Sequence, residues 1–391
     1  MEQAIVLAAG EGQRLKPFTS SKPKVMLPIA NKPILEYVIE ALARNGIRKI
    51  VLVVGYKKEQ VQDYFGFGAQ FDVELEYIAQ PQQLGTAHAL KQARDIAQES
   101  FLVLAGDNIV EPDALAPLLQ LGPNAILVKR QENVSKYGAV VIEGGLVKDI
   151  VEKPARPISP FANTGIYAFG SEIFEFIEQE LDLPQAIRKM LSRGLKVRAC
   201  ETEHAWLDAV YPWDILRLTG SVLSWMVPSV GGTLEQGVVI KPPVSIGKNT
   251  LIRANSYLVG PLVIGENCEI GPNVCLLPAT AIGDHVSISP FTEIRNSVIG
   301  SDVEIGPGSI IHDSIIDRGC RIKGHFVCRS GRAEIKVNGE YREVELGGMV
   351  GERCDIEEGV IVQPGVAIGA GSRVRALKIL GANVPDGALV V

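Results

Sequence analysis

In the second half of this 391-residue chain an aliphatic residue recurs every six positions. Ile246, Ile252, Leu258, Ile264, Ile270, Leu276, Ile282, Ile288 and Ile294 keep the interval without a miss. Gly247, Gly265, Gly271 and Gly283 each follow a member of the series. After a one-residue slip the beat resumes at Ile299, Ile305 and Ile311, slips again, and continues at Ile316 and Ile322. It returns at Val350, Ile356, Val362, Ile368 and Val374. A period of six fits neither the turn of an α-helix nor the alternation of a strand. It suits a parallel β-helix, where each hexad forms one flat face, its aliphatic side chain points inward, and small residues turn the corner.

The beat stops between His325 and Gly348. Inside that gap Glu334–Val344 alternates about Asn338-Gly339, the best short hairpin signal, and predicts a loop projecting from the helix. A helical stretch, Trp213–Met226, followed by Pro228 and Gly231-Gly232, predicts a junction over 212–235.

Residues 1 to about 225 follow another grammar. Ile34–Asn45 has a helical pattern ending at Gly46, and Lys49–Gly55 then reads as a buried strand. Gly85–Gln98 is helical and Phe101–Ala105 is another buried strand. This alternation predicts an α/β, Rossmann-like domain with a mixed, mainly parallel sheet, binding ligands at the C-terminal ends of its strands. The expected domains are 1–225 and a β-helix over 236–391 with a loop insertion at about 325–348.

A net charge of −6 argues against general nucleic-acid affinity. No apolar stretch approaches the length of a membrane span, and the chain opens directly on a strand, so no signal peptide is expected. The six cysteines (Cys200, Cys268, Cys275, Cys320, Cys328, Cys354) form no CxxC pair and no zinc spacing, which fits buried thiols in a reducing cytoplasm.

Chemistry concentrates near the N-terminus. The apolar run Ile5–Ala9 empties into Gly10-Glu11-Gly12-Gln13-Arg14. From Gly12 to Leu35 there are five cations (Arg14, Lys16, Lys22, Lys24, Lys32) and no carboxylate. Glycines that free backbone amides, beside clustered positive charge, suit a polyphosphate. On GxGxR alone, a basic surface loop stays equally open. The dinucleotide fingerprint is excluded because Leu15 stands where its third glycine belongs, and no GxxxxGK[ST] loop occurs.

The whole segment from Leu7 to Pro28 resembles the signature of the sugar-1-phosphate nucleotidylyltransferases, LxxGxGxRLxPxTxxxPKxxLP. The resemblance implies attack of a sugar phosphate on the α-phosphorus of a nucleoside triphosphate, with Mg²⁺ as cofactor. Such a reaction needs alignment and charge neutralisation rather than a strong base. Leu7, Ala8, Ala9, Gly10 and Gly12 are then nucleotide-binding. Arg14 is implied to clamp the β- and γ-phosphates, and Lys24 to neutralise the α-phosphate as charge builds.

Asp107, in Leu104-Ala105-Gly106-Asp107-Asn108, matches the family's GD motif and is implied as a metal ligand; alone it could be an Asx turn or a helix cap. Asp208, in Trp206-Leu207-Asp208-Ala209-Val210, resembles WxDxG and is implied as the second ligand, although Ala209-Val210 departs from that pattern. Gln80–His88 matches QxxxLGTAxA. By resemblance Gln80 reads the base edge, with an amide that donates and accepts, and Gly85 and Thr86 complete the nucleotide site. Read alone, this stretch is a loop entering a helix capped by Thr86. Tyr137-Gly138, Glu152-Lys153-Pro154 and Asn163-Thr164-Gly165 match sugar-side motifs in family order, though each alone could be a surface turn. The five histidines carry no assigned role.

The second half resembles the left-handed hexapeptide-repeat helices of acyltransferases, which usually assemble as trimers. The overall plan resembles enzymes that also acetylate an amino-sugar phosphate. Aligned on Asp313-Ser314, however, the histidine base of that family falls on Pro307 and its tyrosine on Ile310. The sequence therefore implies a β-helix that scaffolds and trimerises, or binds a ligand, with a bifunctional acetyltransferase as the alternative. A non-catalytic regulatory subunit is a third reading, disfavoured because Arg14, Lys24, Asp107 and Asp208 are all present.

Overall fold

A computed structural model describes residues 1–132, Val134, 137–337 and 340–391. The chain divides into two compact units, one comprising 1–11, 22–27 and 33–208, the other 12–21, 28–32 and 209–391.

The first unit is built on a nine-stranded mixed sheet. Its strands are β1 (Gln3–Ala8), β2 (Lys49–Val54), β3 (Glu74–Ala79), β4 (Ser100–Ala105), β6 (Ala125–Arg130), β7 (Gly138–Glu143), β8 (Leu146–Glu152), β9 (Phe161–Gly170) and β10 (Arg198–Glu201). β5 (Asn108–Val110) and β11 (Trp206–Asp208) form a separate antiparallel pair. The large sheet runs β3-β2-β1-β4-β9-β6-β10-β8-β7. β3, β2, β1 and β4 are parallel, whereas β9 pairs antiparallel with β4, β6 and β7. Parallel character is thus confined to the end carrying the glycine loop, apart from the β6–β10 pair.

The parallel strands read as unbroken Val, Ile and Leu runs because both of their faces are covered. Ala4, Val6, Leu52 and Leu104 pack into one core, while Ile5, Val51, Val53 and Val103 pack into another on the opposite face. Helix α1 (Ile34–Arg44) buries Ile34, Leu35, Val38, Ile39 and Leu42 along one stripe. Asn45 closes it by donating to the Ala41 carbonyl at 2.9 Å, and Gly46 follows at φ +79°.

The helix expected over Gly85–Gln98 is shorter. Helix α2 spans Thr86–Lys91, and a separate 3₁₀ turn covers Arg94–Ile96. The Gln92 side chain donates to the His88 carbonyl at 3.0 Å, taking the acceptor that its own backbone N–H would use to prolong the helix. The Gln92 N–H bonds the Ala89 carbonyl instead. Helix α3 follows at Leu183–Ser192.

In the second unit helix α4 spans Asp214–Leu223, inside the expected Trp213–Met226. The Asp214 carboxylate accepts from the Val210 and Tyr211 amides at 2.9 and 2.8 Å. The hexads then wind into three parallel sheets of nine, eight and seven strands, the arrangement of a left-handed parallel β-helix. Ile246, Ile264, Ile282, Ile299, Ile316, Val350 and Ile368 stack in register on one face. Each slip in the beat is a corner shortened by one residue, so Ile282 still pairs with Ile299. The interruption is an antiparallel hairpin, Gly331–Val337 with Glu340–Leu346. The Asn338-Gly339 pair lies outside the described residues. The Arg342 guanidinium rests over the Tyr211 ring at 4.8 Å. Among the described residues no helix is long and apolar enough to cross a membrane.

Candidate active site

The parallel strands of the first unit end together. The Gly106 N–H donates to the Leu7 carbonyl at 2.9 Å and the Tyr56 N–H to the Ala9 carbonyl at 3.2 Å. A cavity of about 290 Å³ opens at these ends. Leu7, Ala9, Gly10, Lys24, Gln80, Gly85, Thr86 and Asp107 line it, as do Gln83, Ala105 and Asp182. Ala8 alternates to the other side and packs into the core.

At one wall the Lys24 ammonium lies 2.6 Å from Asp107 Oδ2 and 3.3 Å from Asp208 Oδ1. The antiparallel pair explains the convergence. Asp208 sits opposite Asn108, so the two aspartates reach the same end of β5 and β11. Burial alone would lower the lysine's proton affinity, but the two carboxylates outweigh it and raise its pKa above the ordinary value.

Among the described residues no group of three or more His, Cys, Asp or Glu gathers as a metal cage. Two carboxylates nonetheless fit Mg²⁺, which takes few protein oxygens and keeps waters and phosphates for the rest. Asn108 Oδ1, next in the chain after Asp107, is buried with no hydrogen-bond partner among the described residues.

Gln80 directly follows β3, only 4% exposed, with its N–H on the Val54 carbonyl at 2.7 Å. Its side-chain nitrogen faces the Gly85 carbonyl at 3.2 Å and His88 Nδ1 at 2.9 Å. The donor end is therefore committed within the protein, unlike the amide expected to donate and accept toward a base. His88, given no role from sequence, is its partner.

Thr86 does not cap its own helix. Its hydroxyl accepts from the Leu183 N–H at 3.0 Å, and its N–H faces Asp182 Oδ1 at 3.4 Å. Gly85 adopts φ +147°, and a Cβ there would lie 2.3 Å from the Leu181 carbonyl oxygen. Glycine is required by that close approach as well as by its conformation. Asp182 was legible only as the residue before a helix, ahead of Pro184. Its place in the cavity comes from a contact nearly a hundred residues distant in sequence.

The sugar-side motifs come together on three adjoining strands. Gly138 pairs with Glu152 on one side and Asn163 on the other. A Cβ at Gly138 would meet Glu152 Oε2 at 3.1 Å and the Asn163 Cβ at 3.2 Å. Asn163 donates to the Tyr167 hydroxyl at 2.8 Å and accepts from the Gly165 N–H at 3.0 Å. Lys153 and Glu152 form an ion pair at 3.2 Å, and the Lys153 N–H bonds the Tyr137 carbonyl. Tyr137 packs edge-on against Trp206, centroids 5.0 Å apart. The Thr164 hydroxyl is buried and bonds the Leu127 carbonyl, so it serves the strand.

Gly12 and Arg14 belong to the second compact unit. Gly12 adopts φ +77° ahead of a 3₁₀ turn (Gln13–Leu15), and its carbonyl accepts from the Leu15 N–H and the Thr19 hydroxyl. Arg14 is exposed on that turn.

Gly10, the half-buried Lys24 beside Asp107 and Asp208, and Gln80 at a strand end thus meet at one cavity. The nucleotidyl transferase family profile matches residues 3–217, and the chain belongs to that family. The profile of the GMPPB C-terminal domain matches residues 258–345. A relative named bifunctional protein GlmU from Methanococcus maripaludis is 34% identical, covering 99% of this chain and 96% of the relative. A bifunctional sugar-1-phosphate nucleotidylyltransferase/acetyltransferase from Sulfurisphaera tokodaii is 31% identical over 98% of each. The crystal structure of a UDP-glucose pyrophosphorylase complexed with UDP-glucose shares the fold, with a TM-score of 0.53 and 24% identity, over 58% of this chain and all of that one.

Proposed function

We propose that the protein joins a nucleoside triphosphate to a sugar-1-phosphate, releasing diphosphate, with UTP or dTTP as nucleotide and glucose- or N-acetylglucosamine-1-phosphate as sugar. The observation that carries the reading is Lys24, held between Asp107 and Asp208 in the wall of the strand-end cavity. A phosphate oxygen of the sugar attacks the α-phosphorus, and the bond from that phosphorus to the bridging oxygen of diphosphate breaks. The nucleophile is already anionic, so no side chain need remove a proton.

In this reading Lys24 supplies fixed positive charge to the α-phosphate as charge shifts toward the leaving group. Asp107 and Asp208 would hold Mg²⁺, which when bound neutralises phosphate charge. Gln80, Gly85 and Thr86 take the base end. Gly138, Glu152 and Asn163, with Tyr137, Lys153 and Thr164 beside them, take the sugar phosphate. Arg14 and Gly12 enter on the sequence signature alone.

Residues 1–225 are assigned to this activity and 236–391 to a homotrimerising scaffold. Light scattering that returned a monomer mass would remove the trimer. All six cysteines are free thiols, in keeping with a cytoplasmic enzyme.

The defining experiment is diphosphate release with Mg²⁺, crossing UTP, dTTP, GTP and ATP against glucose-, N-acetylglucosamine- and mannose-1-phosphates. Release requiring both substrates supports the reading and names the preferred pair. Absence of release from every pair would turn the assignment toward a regulatory subunit.

A further inference from the structure

We infer that His88 is a positioning residue that sets which nucleobases the cavity accepts, by holding the Gln80 amide so that only its carbonyl oxygen is left for a base. The inference rests on the reading of Gln80 as the contact to the base edge.

The Gly85 carbonyl can only accept, so the amide end 3.2 Å from it must be the NH₂. That group has two hydrogens. The second is directed at His88 Nδ1, 2.9 Å away. Nδ1 must then carry a lone pair, which puts the proton of the neutral ring on Nε2. The Gln92 amide holds the His88 backbone carbonyl at 3.0 Å, and its nitrogen, 3.4 Å from the ring Nε2, is a second donor that makes no hydrogen bond with the Nε2–H. Both donor hydrogens of Gln80 are thus used inside the protein. Its Oε1 takes no hydrogen bond from any described residue, and Gln80 lines the cavity.

A base facing this oxygen must present an N–H. Uracil and thymine do so at N3. Cytosine presents a bare lone pair at the same ring nitrogen, which would oppose the lone pairs of Oε1. Uracil and cytosine have the same ring size, so cavity volume cannot separate them. To accept cytosine the amide would have to turn over, setting its oxygen against the Gly85 carbonyl and forcing the imidazole proton from Nε2 to Nδ1. The Gly85 carbonyl and the Nε2–H tautomer of His88 together favour one sense of the amide, and His88 is the partner a side-chain substitution can remove.

The test compares kcat/KM for diphosphate release with UTP and with CTP, at one sugar-1-phosphate, in the wild type, His88→Leu and His88→Asn. Asparagine places its Oδ1 where Nδ1 stands, whereas leucine fills similar space without an acceptor. The wild type should prefer UTP by ~100-fold or more. His88→Leu should lower that ratio about tenfold, the worth of one lost hydrogen bond. His88→Asn should retain most of it.

Equal use of CTP and UTP by the wild type overturns the inference without any variant having to fold. So does an unchanged ratio in His88→Leu, or an equal fall in both variants. Absence of release from every nucleotide in the wild type overturns the parent reading, and this inference with it.

Discussion

Lys24 keeps its proton in spite of burial because Asp107 and Asp208 flank it. Its pKa is raised in the folded state, so its stabilising contribution is complete below the ordinary lysine value and fades only as pH climbs through the raised one. Over roughly pH 7–9 the ammonium stays charged, and no loss of rate in that range originates there. The aspartates are not interchangeable with amides. Asp208→Asn should raise the Mg²⁺ concentration needed for half-maximal diphosphate release by on the order of tenfold. A Mg²⁺ titration with an unmoved midpoint would remove Asp208 from the metal site. At this scale the sequence was most legible where residue type and local motif coincide: Gly10, Lys24, Gln80 and Asp107 all line one cavity. It was least legible where the partner is remote. Asp182 reaches Thr86 across 96 positions, and the committed NH₂ of Gln80 depends on a helix not yet formed when a strand is read alone.

The β-helix corners show how an element constrains its residues. Asn249, Asn255, Asn267 and Asn273 all take positive φ, as asparagine does at small cost. Phe291 occupies the same kind of corner at φ 63°, with 71% of its surface exposed. Its ring is mostly solvated while its backbone sits in the left-handed region. Phe291→Asn should therefore stabilise the β-helix by about 1 kcal/mol, visible as a higher denaturant midpoint with an unchanged slope. A lower midpoint would show that the ring carries packing that outweighs the strain. The hexads made this architecture readable because their inward residues stack in register across every coil. The short α2 was not readable, since the Gln92 side chain competes for a backbone carbonyl that a periodicity argument treats as free. The antiparallel half of the large sheet was hidden for a similar reason, as β9 pairs with β4, β6 and β7, all earlier in the chain, and not with β8, its neighbour in sequence.

For the whole molecule, the sharpest question is whether it shares the second activity that its relatives' names record. The positions aligned with a catalytic histidine and tyrosine hold Pro307 and Ile310, a side chain with no proton to exchange and another with none. His312, five residues on from Pro307, is engaged with Glu293 at 2.8 Å. Glucosamine-1-phosphate with acetyl-CoA should therefore release no free thiol above background, a result that stoichiometric release would reverse. The central claim concerns the first unit, and Lys24→Ala tests it most directly. With the substrate pair that the wild type prefers, the variant should fold normally by circular dichroism yet release diphosphate roughly a thousandfold more slowly. A folded Lys24→Ala variant that released diphosphate at the wild-type rate would contradict the account.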